Sequence, residues 1–237
     1  MSVDGTVLFA RYAYPPNELG YCGPDGAAAL LRPEEHDEIA RRARRFAGAW
    51  AYLEFIARSA GIDDPLDAAV VEAYWVGNEL LDGLDAPELV TWLAGRFTGQ
   101  PGGTWRQAAG RAVAHHSFQV FEVYPWAALL RRHGYPAAVS VLDRCRIRTG
   151  TVLAVDGETA TVRSHPLVWD GRALAAGAPV DEAAHWAAGG RSLLAGLSPG
   201  DRVTLHWDWV CDVVTERQCA RVEDLEARQH DRLSRAA

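Results

Sequence analysis

The chain has 237 residues, of which 49% are hydrophobic and 23% are charged, and its formal net charge is −7. This balance predicts a folded protein with a substantial core and argues against intrinsic disorder. The negative charge argues against nonspecific binding to nucleic acid, which needs a basic surface. All 24 basic residues are Arg, so chemistry that requires a lysine Schiff base is excluded as well.

The cysteines and the hydropathy pattern favour a cytoplasmic protein. Cys22, Cys145, Cys211 and Cys219 form no Cys-x-x-Cys pair, which argues against a zinc ribbon. We expect Cys211 and Cys219 to be structural, because most free cysteines pack as small hydrophobic side chains. The sequence shows neither a leader pattern nor an apolar run of about 18 residues. We therefore predict a cytoplasmic protein with reduced thiols and no membrane contact.

Residues 1–140 are predicted to form a helical bundle domain, the first part of an α+β protein. Apolar residues recur there at alternating steps of four and three, which is typical of helices that bury one face. The fourth helix carries His116 on its apolar stripe. The expected helices cover about 33–61, 65–81, 87–97 and the stretch from Thr104 to Val123.

Residues 141–237 are predicted to form a small, OB-like β-barrel domain that ends in a helix. Two short β-rich runs are joined by Asp156-Gly157, a hairpin turn signal. Residues 166–199 are rich in Gly, Ala and Pro and are expected to be an irregular insertion. From Val203 to Val213 polar and apolar residues alternate, which predicts one continuous strand. The final helix is expected from Thr215.

Cys145 and His206 are the main candidate metal ligands. In the alternating pattern His206 and Asp208 share the outward face, and a carboxylate beside an imidazole often fixes the tautomer of a metal-binding histidine. Cys145 stands at the start of the first β-rich run, and its neighbours Arg144 and Arg146 are expected to stabilise a thiolate. A thiolate and an imidazole together suit a soft or borderline metal ion.

A characteristic order of short motifs surrounds these two residues. The motifs are Cys145 five residues before Gly150, Ala160-Thr161-Val162, the stretch Gly200 through His206, and an amphipathic helix from Thr215. In this order they resemble the HypC/HupF family of small chaperones for [NiFe]-hydrogenase maturation. The whole chain also resembles uncharacterised bacterial proteins of similar length.

The resemblance implies an accessory role in hydrogenase maturation rather than an enzyme with catalytic residues. It implies that Cys145 holds iron as a precursor complex, with His206 close by, and that the partners are the hydrogenase large subunit or other maturation proteins. Supporting or partner-binding roles are expected for Gly150, Gly200, Asp201 and Asp208. The chain departs from the family in the 144 residues that precede Cys145 and in Thr149, where the family usually has proline.

The leading alternative is a metal-dependent or thiol-dependent enzyme with its site in the helical bundle. Carboxylates and histidines on facing helices can form such a site, and the barrel would then only dock a partner. A third alternative is an interaction module in which no single polar residue is decisive. The residues of the bundle site would be Cys22, Glu79, His115, His116 and Glu122.

Overall fold

The computed structural model of this protein describes residues 3–97 and 105–235. Helices fill the N-terminal part, a closed β-barrel follows, and the chain ends in a long helix, so the predicted α+β architecture is confirmed. In the described ranges, none of the helices combines the length and the apolar composition that crossing a membrane requires.

The N-terminal part is built from helices around α1. Their bounds are α1 Gly5–Glu18, α2 His36–Ala43, α3 Ala47–Ala60, α4 Ala68–Trp75, α5 Ala86–Arg96, α6 His116–Phe118, α7 Trp126–His133 and α8 Pro136–Cys145. The Asp4 side chain caps α1 by accepting hydrogen bonds from the backbone N–H groups of Thr6 and Val7. Because α1 is buried on most sides and contacts α2, α4 and the barrel, it connects the two parts of the protein.

The prediction of one long helix over 33–61 is wrong. The chain leaves the helical conformation between α2 and α3, where Phe46 has a φ of −83° and a ψ of 75°. This break allows the Phe46 ring to pack edge-on against Phe9 of α1, with ring centroids 5.3 Å apart. Burial of a large aromatic side chain outweighs the few backbone hydrogen bonds of a continuous helix. Gly61 ends α3 in the left-handed conformation, as expected.

The predicted fourth helix is also interrupted. Its expected start, Thr104, lies outside the described residues, and Trp105–Gln107 form a single 3-10 turn. The chain then becomes extended at His115, whose Nδ1 accepts a hydrogen bond from the backbone N–H of Ser117. That bond caps α6, which continues directly into a π-helical turn over Gln119–Val123. His116 is therefore the first residue of a helix rather than part of a long stripe.

The barrel closes through five strands in the order β1-β2-β5-β7-β6. The prediction of an irregular insertion over 166–199 is wrong, because β5 lies inside it and pairs with β2 along its whole length. A separate two-stranded hairpin is formed by β3 and β4. The strands are β1 Arg148–Asp156, β2 Thr159–Ser164, β3 Leu167–Trp169, β4 Leu174–Ala176, β5 Val180–His185, β6 Arg202–His206 and β7 Trp209–Val213.

The predicted continuous strand over 203–213 is in fact a tight hairpin. His206 ends β6 and pairs with Trp209, the first residue of β7, so Trp207 and Asp208 form the turn. Trp207 adopts a φ of 57°, a conformation that costs free energy in a residue other than glycine. The turn breaks the alternation of side chains, and His206 is therefore buried while Asp208 is exposed.

The C-terminal helix α9 (Glu216–Arg235) returns to pack on both parts of the chain. One hydrophobic core contains Val222 and Leu225 of α9, Trp209 and Cys211 of the barrel, and the buried faces of α1, α3 and α4. The expected boundary near residue 140 falls within α8. The division into domains 1–140 and 141–237 stays a prediction, and the packing across it places residues from both parts around the candidate site.

Candidate metal centre

Three side chains that can ligate a metal meet where the helices join the barrel. They are His116 at the start of α6, Cys145 at the end of α8 and His206 at the end of β6. One ligand atom from each lies within 4.8 Å of those of the other two. We call these residues the His–Cys–His group. It joins the two predicted ligands, Cys145 and His206, to a histidine that the sequence placed in a separate bundle site.

Backbone contacts bring the two predicted ligands together. Cys145 is the last residue of α8, not the first of a strand as the sequence suggested, because Pro136 starts a helix that runs to this point. The N–H of Trp207, in the hairpin after β6, donates to the Arg144 carbonyl over 2.7 Å. The end of β6 is thereby fixed beside the end of α8.

His206 is oriented as a metal ligand would be. Its Nδ1–H donates to the Tyr12 carbonyl of α1 over 2.7 Å, and this bond leaves the lone pair on Nε2. Within the described residues Nε2 has no hydrogen-bond partner, and the residue is 1% exposed. Burial holds the pKa of His206 well below its ordinary value, so the ring is neutral, the form that binds metals. The predicted pairing with Asp208 is wrong.

His116 is held by two hydrogen bonds. Its Nε2 lies 2.8 Å from the Cys145 carbonyl and its Nδ1 lies 3.1 Å from the Tyr74 hydroxyl. Since a carbonyl only accepts, Nε2–H is the donor and Tyr74 donates to Nδ1. Burial lowers the pKa of His116 to about 4. A metal bound at Nε2 would replace the hydrogen bond from Nε2–H to the Cys145 carbonyl. The ring proton would then lie on Nδ1, from which the Tyr74 oxygen can accept a hydrogen bond.

The two histidine rings pack against each other and against Trp75. Their centroids are 5.1 Å apart, and the Trp75 ring lies 4.6 Å from His116 and 5.6 Å from His206. Trp75 in turn stacks on Tyr12, whose carbonyl binds His206. The rotamers of both imidazoles are therefore fixed by close packing, which prepares a site for a ligand at little entropic cost.

The surroundings of the Cys145 thiol favour its protonated form. Burial, together with the Cys22 thiol and Glu226, raises its pKa well above the ordinary value. The expected activation by flanking arginines is wrong, because Arg144 is exposed and Arg146 binds the Asp143 carboxylate and the His165 carbonyl. A thiol in such surroundings becomes a thiolate when a metal ion displaces its proton.

A cavity of about 200 Å³ adjoins the His–Cys–His group, and we call it the aromatic cavity. The indole N–H groups of Trp75 and Trp207 are buried and have no acceptor among the described residues, and both residues line this cavity. Tyr21, which is 57% exposed, stacks on Trp207 with the ring centroids 4.0 Å apart. Its lining also includes Phe46, Tyr74, Tyr124, Trp126 and all three members of the group.

Cys22 lines the same aromatic cavity. Its loop is held by Asn17, whose Nδ2 donates to the carbonyls of Cys22 and Pro24, each over 2.8 Å. Burial raises the pKa of the Cys22 thiol to about 12. The structure thus brings Cys22 and His116, from the alternative bundle site, to the predicted barrel pair.

The remaining members of the alternative bundle site lie elsewhere. Glu79 is exposed, and a hydrogen bond from its own backbone N–H, followed by the ion pair with Arg217 over 2.7 Å, lowers its pKa. Glu122 is buried and bonded to Arg111 over 3.1 Å. His115 caps α6, and its complete burial lowers its pKa to about 3. None of the three belongs to the His–Cys–His group among the described residues.

The residues expected to support the site or to bind a partner lie on the barrel and its turns. Gly150 lies on β1, where an added Cβ would come within 2.5 Å of Val162. Gly200 forms a turn with a φ of +95°, and Asp201 accepts a hydrogen bond from the Ser198 N–H over 2.8 Å. Asp208 is exposed at the hairpin after β6. Their proposed contacts with a partner stay predictions.

The sequence reasoning missed Tyr12, Tyr74 and Trp75, which orient the histidines. A usable signal was present in Tyr74-Trp75, two adjacent aromatic residues within one predicted helix. Adjacent aromatic residues point in different directions on a helix, so one of them must contact another element. Which element that is depends on long-range packing, and the pattern alone does not identify it.

Comparison with known proteins places the whole chain in one family. A family model described as "Family of unknown function (DUF6390)" matches residues 1–237. Among curated proteins and among solved structures, none matches the chain. The resemblance of the C-terminal part to HypC/HupF chaperones receives no support from these comparisons, whereas the expected likeness to an uncharacterised family is confirmed. The chain therefore belongs to the DUF6390 family.

Proposed function

We propose that this protein binds a first-row transition metal ion through His116, Cys145 and His206. The observation that carries the proposal is the convergence of three ligand atoms, from three separate elements, within 4.8 Å of one another. A half-buried thiol and two neutral imidazoles within that distance can converge on one ion after small side-chain movements, because metal–nitrogen and metal–sulfur bonds are about 2.0–2.3 Å long.

The donor atoms indicate the class of metal. Two imidazoles and one thiolate suit zinc, iron(II), nickel or copper, whereas magnesium and calcium prefer oxygen ligands. The hydrogen bond from His206 to the Tyr12 carbonyl over 2.7 Å is the kind of outer contact that fixes the orientation of metal-binding histidines. The side chains therefore favour a borderline or soft ion.

The surroundings favour a site that also holds a small ligand. Three protein ligands leave one position of a four-coordinate ion to another molecule, as in catalytic or carrier sites rather than closed structural sites. The aromatic cavity adjoins the group, and the unpartnered indole N–H groups of Trp75 and Trp207 within the described structure offer hydrogen bonds there. A small metal-bound ligand with an acceptor atom fits these features.

Metal analysis of protein purified without oxygen tests this proposal. Wild-type protein is expected to retain about one equivalent of metal, and Cys145→Ala and His206→Ala are expected to lose it. Cys219→Ala is the matched control, because Cys219 is also a free cysteine but lies on α9, outside the group. Equal metal content in the Cys145→Ala and Cys219→Ala proteins would refute the proposed site.

A narrower proposal identifies the bound species as the iron precursor of [NiFe]-hydrogenase maturation. What supports it is that Cys145 and His206, the two residues implied by the HypC/HupF resemblance, are neighbours in the His–Cys–His group. In cells that make such a hydrogenase, Cys145→Ala is then expected to abolish hydrogenase activity, and Cys219→Ala to preserve it. Full activity with Cys145→Ala would end this narrower proposal and leave the metal site to be judged by metal content.

A further inference from the structure

The aromatic cavity beside the His–Cys–His group has room for one more aromatic ring. Its volume is about 200 Å³, and an apolar cavity of about 150 Å³ is large enough for a benzene molecule. Ligand sites in proteins are typically concave and mostly apolar, with a few polar groups that orient the ligand. The cavity therefore has the size of a molecule with one ring and a short substituent.

The wall of this cavity determines which molecule fits it best. Seven of the described residues that line it are Tyr, Trp or Phe, and its lining contains neither a carboxylate nor an arginine among the described residues. Aromatic rings prefer edge-to-face or offset-stacked neighbours, and such pairs contribute more than the area that they bury. A charged occupant would lose its hydration without gaining an opposite charge. The wall thus favours an uncharged aromatic occupant.

The cavity is accessible from solvent. Tyr21 is 57% exposed, and Gly23 and Ala47, which also belong to its lining, are exposed. Tyr124 and Trp126 of the same lining are half-buried. A small molecule that enters the cavity can therefore contact side chains that keep accessible surface.

Trp207 is held in the cavity wall at a cost to the backbone. Its φ of 57° makes it the one residue other than glycine with a positive φ among the described residues. The turn after β6 would accept glycine or asparagine with less strain. The tryptophan instead lines the cavity and stacks on Tyr21, with the ring planes inclined by 27°. Strained residues of this kind are concentrated at binding and active sites.

We propose that the aromatic cavity binds a small, uncharged molecule with a single aromatic ring. The ring packs against the aromatic side chains of the wall. A polar substituent on the ring can face the His–Cys–His group, because all three members of the group line the same cavity. Ring binding itself needs no metal. Where a metal is bound, the ring-bearing molecule is the substrate class of the metal centre, and that part alone rests on the proposed function.

Calorimetric titration of the full chain, after treatment with a chelator, tests this inference with three probes. Benzyl alcohol carries an uncharged aromatic ring, cyclohexylmethanol has a saturated ring instead, and benzoate carries a negative charge. Benzyl alcohol is expected to bind saturably with a Kd of about 1 mM or lower, from the usual free energy per atom of small ligands. Cyclohexylmethanol is expected to bind about two- to tenfold more weakly, and benzoate at least about tenfold more weakly.

Gly48 offers a variant that fills the cavity without removing any packing. It is the second residue of α3 and lines the cavity, and a Cβ added there would lie 3.6 Å from its nearest neighbours, the Tyr124 hydroxyl and the Gln119 amide. Gly48→Leu is therefore expected to fold and to weaken binding of benzyl alcohol by at least about tenfold, because the leucine takes the space of the ring. Gly95→Leu is the matched control. Gly95 is also a helical glycine with open space at an added Cβ, but it lies on α5, outside the lining.

Tyr21→Ala is a second variant that removes part of the wall. Because Tyr21 is 57% exposed, its loss costs little stability. Binding of benzyl alcohol is expected to weaken by about two- to tenfold, the usual contribution of one aromatic pair. This variant decides the matter if Gly48→Leu does not fold.

Three results would overturn the inference. The first is the absence of saturable binding of benzyl alcohol to wild-type protein. The second is binding of cyclohexylmethanol or benzoate as tightly as benzyl alcohol, since the cavity would then not select an uncharged aromatic ring. The third is unchanged affinity in Tyr21→Ala and in folded Gly48→Leu, which would locate the binding elsewhere. Because the titration uses chelator-treated protein, its failure is distinguishable from failure of the metal site, which metal content measures.

Discussion

The His–Cys–His group and the arginine cavity, a cavity of about 630 Å³ between the barrel and α9 that Arg146, Arg148, Arg163 and Arg202 line, are both polar regions, but they differ in charge. The first contains neutral imidazoles and a neutral thiol beside aromatic side chains, so the lone pairs on its nitrogen and sulfur atoms can bind a cation. The second contains guanidinium groups that are mostly paired with carboxylates and retain single free donors within the described structure. The comparison teaches that burial alone does not define a ligand: the protonation states of the buried groups decide which sign of charge each region can bind.

Removal of Trp75, which packs against both histidine rings, should have the largest effect on the free energy of unfolding. Trp75 is 3% exposed, so Trp75→Ala is expected to lower the free energy of unfolding by about 3–5 kcal/mol through loss of packing. It should also weaken metal binding, because the imidazoles lose their support. Urea denaturation and metal titration measure these two effects.

Trp105→Ala provides the control for that experiment. Trp105 is equally buried, at 2% exposed, but packs on Phe97. We expect a similar loss of stability with metal affinity preserved. If both tryptophan variants lose metal to the same extent, general destabilisation explains the loss and the specific role of Trp75 is refuted.

The pH dependence of the free energy of unfolding should show the next largest effect. It reports on the Glu226 carboxyl rather than on the ligands of the metal centre. Glu226 has a pKa of about 8 in the folded chain against an ordinary value of 4.5. The folded state therefore keeps a proton that the unfolded state has lost, and its contribution to stability falls as pH rises from 4.5 through about 8. Between pH 6 and 8, wild type is expected to lose about 2 kcal/mol relative to Glu226→Gln.

Urea denaturation of both proteins at these two pH values measures the difference. Glu182→Gln is not a suitable reference, because Glu182 is ionised and paired with Arg148. If wild type and Glu226→Gln show parallel pH profiles, the Glu226 carboxyl titrates in its ordinary range and cannot act as a neutral donor near pH 7.

A smaller effect is expected from Tyr74→Phe, which tests the outer contacts of the metal centre. The hydroxyl of Tyr74 lies 3.1 Å from His116 Nδ1, and loss of such a contact typically weakens metal binding by about 10–100-fold. Tyr52→Phe is the matched control, because the Tyr52 hydroxyl is also buried but has no hydrogen-bond partner within the described residues. Competition with a metal indicator gives both affinities, and equal values would rule out a role for the Tyr74 hydroxyl.

The smallest effect is expected at Asp208. The sequence paired this residue with His206, but the structure exposes it in the hairpin. Asp208→Ala is therefore expected to change metal affinity by less than about twofold and stability by less than about 0.5 kcal/mol. A large loss of metal with this variant would show that the sequence-based pairing was right and the hairpin geometry wrong.

The local pattern predicted much of the barrel but not its closure. The pattern of β1 and β2 was readable because each of these strands has one buried face. Strand β5 was missed because Ala184 is its single fully buried residue, so its position depends on pairing with β2 rather than on hydrophobic pattern. The turn at Trp207 was missed because a positive φ is not expected at tryptophan.

The candidate metal centre was also predictable only where a local sequence pattern marks its residues. Cys145 and His206 stood out through their motifs, and the structure places them together. His116 was assigned to a separate site because its helix was expected to run without a break. The chain becomes extended at His115 and restarts as α6, so the direction of His116 follows from a capping bond and from packing against Trp75. Such contacts between distant residues are not encoded in a local period.

Titration with cobalt(II) under anaerobic conditions tests the central claim most directly. A cobalt ion bound to Cys145 gives a thiolate-to-metal charge-transfer absorption, which reports the ligand itself rather than stability. We expect this absorption to saturate at about one equivalent in wild type and in Cys219→Ala, and to be absent in Cys145→Ser. The same absorption in Cys145→Ser as in wild type would contradict the assignment of a metal to the His–Cys–His group.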